Sequence, residues 1–378
     1  MSEFFYNTMN LSYWEYKTWL SNIDFTIVGS GIVGLNCAYY LSRKYPKAKI
    51  LILEKGILPQ GASTKNAGFA CFGSISEIVS DLKTDSQEDV QQLVRSRWEG
   101  IQLLRATLGD TKMDFQQHGG HELFLKEQTE LFNDCAESLS EINNLLRPVY
   151  GEDAYYLHPN LFNFNKINNQ YISSRFEGQI NTGAMMNSLL SLVVNAGVQI
   201  LNSITVTSFD ENHGGVKVYT NQFELDTRKL IIATNGFAAQ LLDEEVKPAR
   251  AQVLITKPIG KLEIKGTFHL DEGFYYFRNI DSRILLGGGR NLDFKTEETS
   301  EFGQTELIQN RLDSMLREVI LPHTDFEIEH RWSGIMGVGQ TKRPIVKQLS
   351  ENLICGVRLG GMGIAIGSLV GKELADLS

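Results

Sequence analysis

The sequence predicts an α/β protein whose parallel sheet is interrupted by an inserted, mostly antiparallel α+β region. Three observations carry this. A glycine-rich turn, Gly29-Ser30-Gly31-Ile32-Val33-Gly34, joins a β-branched apolar run to a helical pattern. Continuous apolar runs at 24–28, 49–54, 229–234 and 352–357 read as strands buried on both faces, as parallel strands are. Residues 250–290 instead alternate apolar and polar, with Gly and Asp at the breaks, the mark of antiparallel sheet. Buried strands so far apart share one sheet only if the middle of the chain loops out and returns.

After the first run, Leu35, Ala38 and Leu41 recur at helical spacing, and Pro46 stops that helix near Lys44. Residues 49–54 complete one βαβ unit, for which a right-handed crossover is expected. A Gly- and Ser-rich stretch covers 60–76. Ser86-Gln87-Glu88-Asp89 reads as a capping box that opens a helix ending at Leu108, with Gly109 as its stop. Residues 112–125 read as strand, with His118 and His121 in a turn around a Gly pair, and 127–146 as a helix halted before Pro148. A helix from Gly183 ends at Gly197; 198–200, 204–209 and 216–219 read as strands, and 304–319 and 359–377 as helices. The expected division is 1–85, 172–245 and 331–378 for a discontinuous nucleotide-binding domain, and 86–171 and 246–330 for a substrate domain.

Composition narrows the function. Of 378 residues, 42% are hydrophobic and 21% charged, which excludes a disordered or fibrous chain. The net charge of −9, without a basic stripe, argues against nucleic acid as a partner. Four cysteines without a CxxC pair exclude a disulfide framework and a zinc site, and fit a reducing compartment. The seven histidines show no ligand spacing, so no metal is expected. No apolar run reaches the ~18 residues of a membrane span, and Glu3, Glu15 and Lys17 fall where a signal peptide needs its apolar core. A cytoplasmic protein is expected.

The turn Gly29-x-Gly31-x-x-Gly34 has the form of a dinucleotide-binding fingerprint, with Ser30, Ile32 and Val33 between the glycines. Gly29 makes the tight turn, Gly31 lets backbone approach a pyrophosphate, and Gly34 lets helix and strand pack closely. The helix N-terminus offers free N–H groups and a partial positive charge. Glu54, 20 residues beyond Gly34 at the end of the next strand, is placed to accept hydrogen bonds from ribose hydroxyls. The fingerprint itself leaves FAD and NAD open.

Further segments extend the pattern: Leu11-Ser12-Tyr13-Trp14, Glu54-Lys55, Gly61-Ala62-Ser63-Thr64-Lys65-Asn66-Ala67-Gly68, Ile231-Ile232-Ala233-Thr234-Asn235-Gly236, Pro248-Ala249-Arg250-Ala251-Gln252, Gly287-Gly288-Gly289-Arg290, Trp332-Ser333-Gly334-Ile335 and Gly360-Gly361-Met362-Gly363-Ile364. In this order and spacing, over residues 11 to 376, the chain resembles the FAD-dependent oxidoreductases of the D-amino-acid oxidase superfamily, which include sarcosine, glycine and γ-glutamylputrescine oxidases. The resemblance implies a Rossmann-like FAD-binding domain carrying an antiparallel substrate domain. It implies oxidation of a C–H beside an amine nitrogen, by hydride transfer to flavin N5, in a small amine or an amino acid, N-substituted or not. The acceptor would be oxygen or another oxidant.

It also assigns sites. Ala62, Ser63, Asn66, Ala67 and Gly68 would lie along pyrophosphate and flavin, Val206 against adenine, and Thr234, Asn235, Gly236 and Gly334 beside the cofactor. Gly361, Met362, Gly363 and Ile364 open a helix aimed at the flavin pyrimidine edge, whose negative charge on reduction the helix dipole stabilises. A second nucleotide loop there is the rival reading, but only 11 residues follow Gly367, too few for a further strand bearing a ribose-binding acid. Met336 stands where relatives carry a carboxylate-gripping arginine and, in sarcosine oxidase, near a flavin-bound cysteine. Non-covalent FAD is therefore expected, with Cys71 as the alternative attachment point. Leu285 stands where sarcosine oxidase has an oxygen-activating lysine. Tyr276 and Arg278 share one strand face and are candidates for the substrate pocket, with sheet packing as the alternative. Arg250 and Arg290 are further cations. A flavin-dependent RNA-modifying module, an inactive flavoprotein subunit and an NAD-dependent dehydrogenase remain as other classes.

Overall fold

The structure is a computed structural model and describes residues 10–378, so Glu3 lies outside the described residues. The four apolar runs form the strands Ile23–Val28, Ile50–Glu54, Glu224–Ile232 and Leu353–Val357. They lie side by side in the order 353–357, 224–232, 23–28, 50–54, all parallel, with Gln199–Asn202 beyond. An antiparallel edge strand, Ile345–Gln348, and the hairpin strands Val206–Asn212 and Gly215–Thr220 complete eight strands. Both faces are covered, which is why the runs are continuous rather than alternating. One face packs on the helices Ile32–Lys44, Gln87–Leu108, Thr182–Asn195 and Gly363–Leu377, and the hairpin covers part of the other.

A second eight-stranded sheet runs in the order Ile328–Val338, Lys247–Thr256, Arg283–Gly288, Tyr275–Ile280, Thr267–Leu270, Gly120–Leu123, Gln170–Ser174, Tyr155–Pro159. All its pairings are antiparallel except 267–270 with 120–123. Its outer face packs on Glu306–Met315 and the wider turn Leu316–Ile320 through Ile308, Leu312 and Leu316. Its inner face meets the parallel domain through Ala67, Val253 and Leu285.

Sheet membership moves the expected boundaries. Divisions at 172 and 331 cut through Gln170–Ser174 and Ile328–Val338, whose hydrogen bonding continues across them. The helix Gln87–Leu108, expected with the insertion, belongs to the parallel domain, because Ile101, Leu104 and Leu108 enter that core. Residues 112–125 are not strand throughout: a short helical turn, Asp110–Met113, precedes Gly120–Leu123. His121 sits in that strand rather than in a turn, buried, with Nδ1 2.8 Å from Ser173 Oγ. The helix expected to halt before Pro148 runs from Thr129 to Tyr150. Tertiary packing carries it past the proline, since the Tyr150 ring stacks on Phe176 at 4.5 Å and lies 4.9 Å from Phe72. The last helix starts at Gly363, not 359, because Gly360 and Gly361 take φ of +57° and +83° and turn the chain first.

Candidate active site

A cleft of about 1070 Å³ lies between the C-terminal ends of the parallel strands and the inner face of the second sheet. Open α/β sheets place ligands at such strand ends. Gly29 follows the first strand with φ +104°, and a Cβ on Gly34 would stand 2.0 Å from the Gly29 carbonyl oxygen. Strand and helix therefore meet at backbone distance, which only glycine at 34 permits. Gly31, Ile32 and Val33 line the cleft. The Ile32 N–H donates to Ser63 Oγ at 2.9 Å, which fastens the 61–68 loop to the helix N-terminus. Glu54 is buried, yet lines the cleft. Its Oε2 accepts from the Ser30 N–H and hydroxyl at 2.9 and 2.7 Å, and its Oε1 from the Gly56 N–H at 2.9 Å. Ser30 and Gly34 stand behind the wall as its supports.

The loop's other residues divide in the same way. Ala62, Ala67 and Gly68 line the cleft. Asn66, also at the wall, spends its side chain inward: Oδ1 accepts from the Gly68 N–H and the Thr182 hydroxyl, and Nδ2 donates to Ala62 and Ser63 carbonyls. Trp332 Nε1–H donates to the Lys65 carbonyl at 2.9 Å, tying the loop to the second sheet. Arg278 lies beneath the loop and not in the cleft. It is 2% exposed, and its Nη1 donates to the Gly68 and Ile180 carbonyls at 3.0 and 2.7 Å. Burial lowers this guanidinium to about 10. The expectation that it grips substrate is thus corrected, because Arg278 does not line the cleft and its Nη1 holds loop backbone. Arg250 is spent likewise, in a buried two-pronged ion pair with Glu297 at 2.8 and 2.9 Å.

Lys55, Val206, Thr234, Asn235, Gly334, Met336, Gly361, Met362, Gly363 and Ile364 also line the cleft. Gly236 packs behind it, where a Cβ would meet the Met336 carbonyl oxygen at 2.5 Å. Asn235 Oδ1 accepts from the Leu359 N–H at 3.1 Å and so joins the loops that follow two neighbouring strands. Thr234 Oγ1 is buried at the cleft wall with no hydrogen-bond partner among the described residues, an unmet polar group at a ligand-sized space.

Tyr276, His269, Glu272, Phe274 and Arg290 form the sheet side of the cleft. Tyr276 and His269 are register partners, and burial pushes the Tyr276 phenol up to about 12. Arg290 makes no ion pair with a carboxylate among the described residues, and burial lowers its pKa. Cys71 reaches the cleft too, its thiol pushed well up by burial, with Glu177 and Glu77 adding to the rise. The sequence reading missed His269. No local pattern signalled it, because only the strand register sets it opposite Tyr276 and its partner Glu177 lies 92 residues away in sequence.

The family model for FAD dependent oxidoreductase (DAO) matches residues 24–377. The chain belongs to that family. Its curated relatives include the probable oxidoreductase OrdL of Haemophilus influenzae, 20% identical over 95% of this chain and 83% of the relative. The γ-glutamylputrescine oxidoreductase of Escherichia coli is 21% identical, over 94% and 83%. Among solved structures, glycine oxidase from Geobacillus kaustophilus superposes with a TM-score of 0.78 at 19% identity, covering 94% of each chain. Iminodiacetate oxidase from Chelativorans sp. BNC1 gives 0.74 at 20% identity, covering 93% of this chain and 94% of that one. These superpositions show the shared fold. The cleft suits the family's cofactor: glycine backbone and a helix N-terminus for phosphates, a carboxylate for ribose, an unpartnered threonine hydroxyl, and length enough to reach the second sheet.

Proposed function

We propose that this FAD-dependent oxidoreductase oxidises the C–N bond of a small amine or of an amino acid, N-substituted or not. The observation that carries the reading is the continuity of one cleft. Gly29, Gly31 and Glu54 line it at one end, and Tyr276, Met336 and Arg290 at the other. A cofactor held by the first set would extend toward the chamber that the second set walls. Family membership and the names of the oxidases sharing the fold point to amine and amino-acid chemistry.

In this reading Gly29, Gly31, Ile32, Val33 and Ser63 hold the pyrophosphate, and Glu54, Lys55 and Val206 the adenosine. Ala62, Asn66, Ala67, Gly68, Thr234, Asn235 and Gly334 flank the flavin, with Ser30, Gly34 and Gly236 as packing supports. Gly361–Ile364 supply the dipole of the last helix. FAD supplies the two-electron oxidation. Tyr276 and Met336 position the substrate, and Arg290 is the cation for an anionic group on it. FAD is bound non-covalently: Met336 offers a thioether, and the Cys71 thiol is held protonated. Precipitation in acid is expected to release all of the yellow colour into the supernatant; colour retained in the pellet overturns this part.

The central test is anaerobic. The holoprotein is titrated with glycine, N-methylglycine, proline and 1,4-diaminobutane while its visible spectrum is recorded. Bleaching of the flavin band by one of them is the expected result. A band that none of these or their homologues bleaches favours a partner-dependent role. Reoxidation in air, compared with a dye, then tests oxygen as acceptor. Leu285, buried against Ala67, offers no cation there, and slow reoxidation by oxygen is expected.

A further inference from the structure

The sheet wall of the cleft carries a buried carboxylate–imidazole pair that the reading above does not use. His269 Nε2 lies 3.0 Å from Glu177 Oε2, and the Thr267 hydroxyl donates to the same oxygen at 3.1 Å. Glu177 is 2% exposed. The space for its carboxylate comes from Gly120, where a Cβ would stand 2.0 Å from Oε2. His269 itself lines the cleft, with the Phe69 ring edge-on at 5.3 Å and Tyr276 opposite in register.

This geometry sets the tautomer. A carboxylate only accepts, so Nε2 carries the hydrogen, and in the neutral imidazole the lone pair lies on Nδ1. Nδ1 makes no hydrogen bond among the described residues. An imidazole that presents Nδ1 to a substrate cleft, with a buried carboxylate behind it, is a proton acceptor whose charged form is already compensated.

We propose that His269, held by Glu177, takes the proton from the substrate's ammonium group in the cleft, so that the amine is neutral before its C–H bond breaks. This rests on the amine reading above. In the step one ammonium N–H bond breaks and its electron pair stays on nitrogen as the lone pair. The proton bonds to Nδ1, and no electrons are transferred. Glu177 faces the resulting imidazolium.

The surroundings give the sign of the pH dependence. Glu122 on the neighbouring strand, Glu77 on the helix Ile75–Asp81 and Glu177 all bear on the ring. Tyr276 and Arg278 lie on the strand that pairs on the other side, and His121 on the same strand as Glu122. Burial alone lowers the imidazole pKa; Glu177, by charge and hydrogen bond, outweighs it and holds the ring above its usual value. Since the base form acts, the reaction speeds up as pH rises through that value.

The test uses the holoenzyme with histidine labelled for NMR, and H269Q to assign the signal. The pH midpoint of His269 is compared with that of anaerobic flavin bleaching by the most effective amine of the panel. Coincident midpoints are expected, and E177Q is expected to move both downward together. H269Q is expected to lose that limb of the profile and to bleach at least about tenfold more slowly near neutral pH, recovering at high pH where the amine arrives unprotonated. Unequal midpoints in the wild type, a limb retained in H269Q, or a midpoint that moves by NMR in E177Q but not in bleaching, each overturns the assignment while leaving amine oxidation standing. Absence of bleaching by any amine overturns the amine reading and this step with it.

Discussion

Arg278 shows how a single side chain divides between what alternation predicts and what packing decides. The two-residue period of a strand puts it on the face of Tyr276, and that parity holds. Its bonds go to the carbonyls of Gly68 and Ile180, 210 and 98 residues away in sequence, and no local pattern announces them. Gly68 is matched to it: φ is +75°, and a Cβ would sit 2.4 Å from the Ile180 oxygen and 2.8 Å from Arg278 Nη1. Replacing Arg278 by Met leaves two buried carbonyls without their charged donor. The expected loss is about 2–4 kcal/mol of stability, with weaker retention of FAD, read by urea unfolding and by flavin released on dilution. An unchanged urea midpoint would show that the carbonyls find other donors. The fingerprint residues, by contrast, were readable singly, because a glycine at 34 and an acid at 54 answer to local needs of turn, helix and strand end.

Elements were most legible where their ends carry a local device. Ser86 caps the helix Gln87–Leu108 as its sequence suggests: its Oγ accepts from the Asp89 N–H at 3.1 Å, and Gly109 ends the helix at φ +82°. Ser86→Ala is expected to cost about 1 kcal/mol, seen as a lower denaturation midpoint at unchanged slope. The helix through Pro148 was misread because proline is a local signal and the aromatic cluster of Phe72, Trp98, Tyr150 and Phe176 is not. The late start of the last helix has the opposite cause, a backbone turn at Gly360 and Gly361 inside a stretch that reads as helical by its apolar residues. The same contrast covers the cleft: its glycine-rich loops were visible, whereas the loop-to-sheet tie from Trp332 to Lys65 was not.

At the scale of the whole molecule, an ion cluster clasps the C-terminal part of the chain to the N-terminal part. Lys342 Nζ lies 3.0 Å from Glu77 and 2.6 Å from Asp81, and Arg97 Nη1 is 3.1 Å from Glu77. Burial alone raises the Glu77 carboxyl pKa; Arg97 and Lys342 outweigh it and bring it from 4.5 down to about 2. The sign follows from linkage. A carboxylate with a depressed folded pKa contributes stability above about pH 4.5 and loses it as pH falls toward 2. The wild type is therefore expected to lose more stability than Glu77→Gln between pH 6 and pH 3, measured by urea unfolding at each pH. Parallel losses would show that the clasp does not hold the fold.

The glycine turn, the buried parallel strands and the family were legible in the residues alone, because glycine spacing, continuous apolar runs and an acid at a strand end act within about 30 residues of chain. What required the folded chain was which sheet each strand joins, the burial of Arg278 and Arg250, and the meeting of His269 with Glu177. Each of these depends on pairing between strands or loops remote in sequence. Such pairing is set by how two sheets close over one cleft, and no local residue pattern encodes that closure.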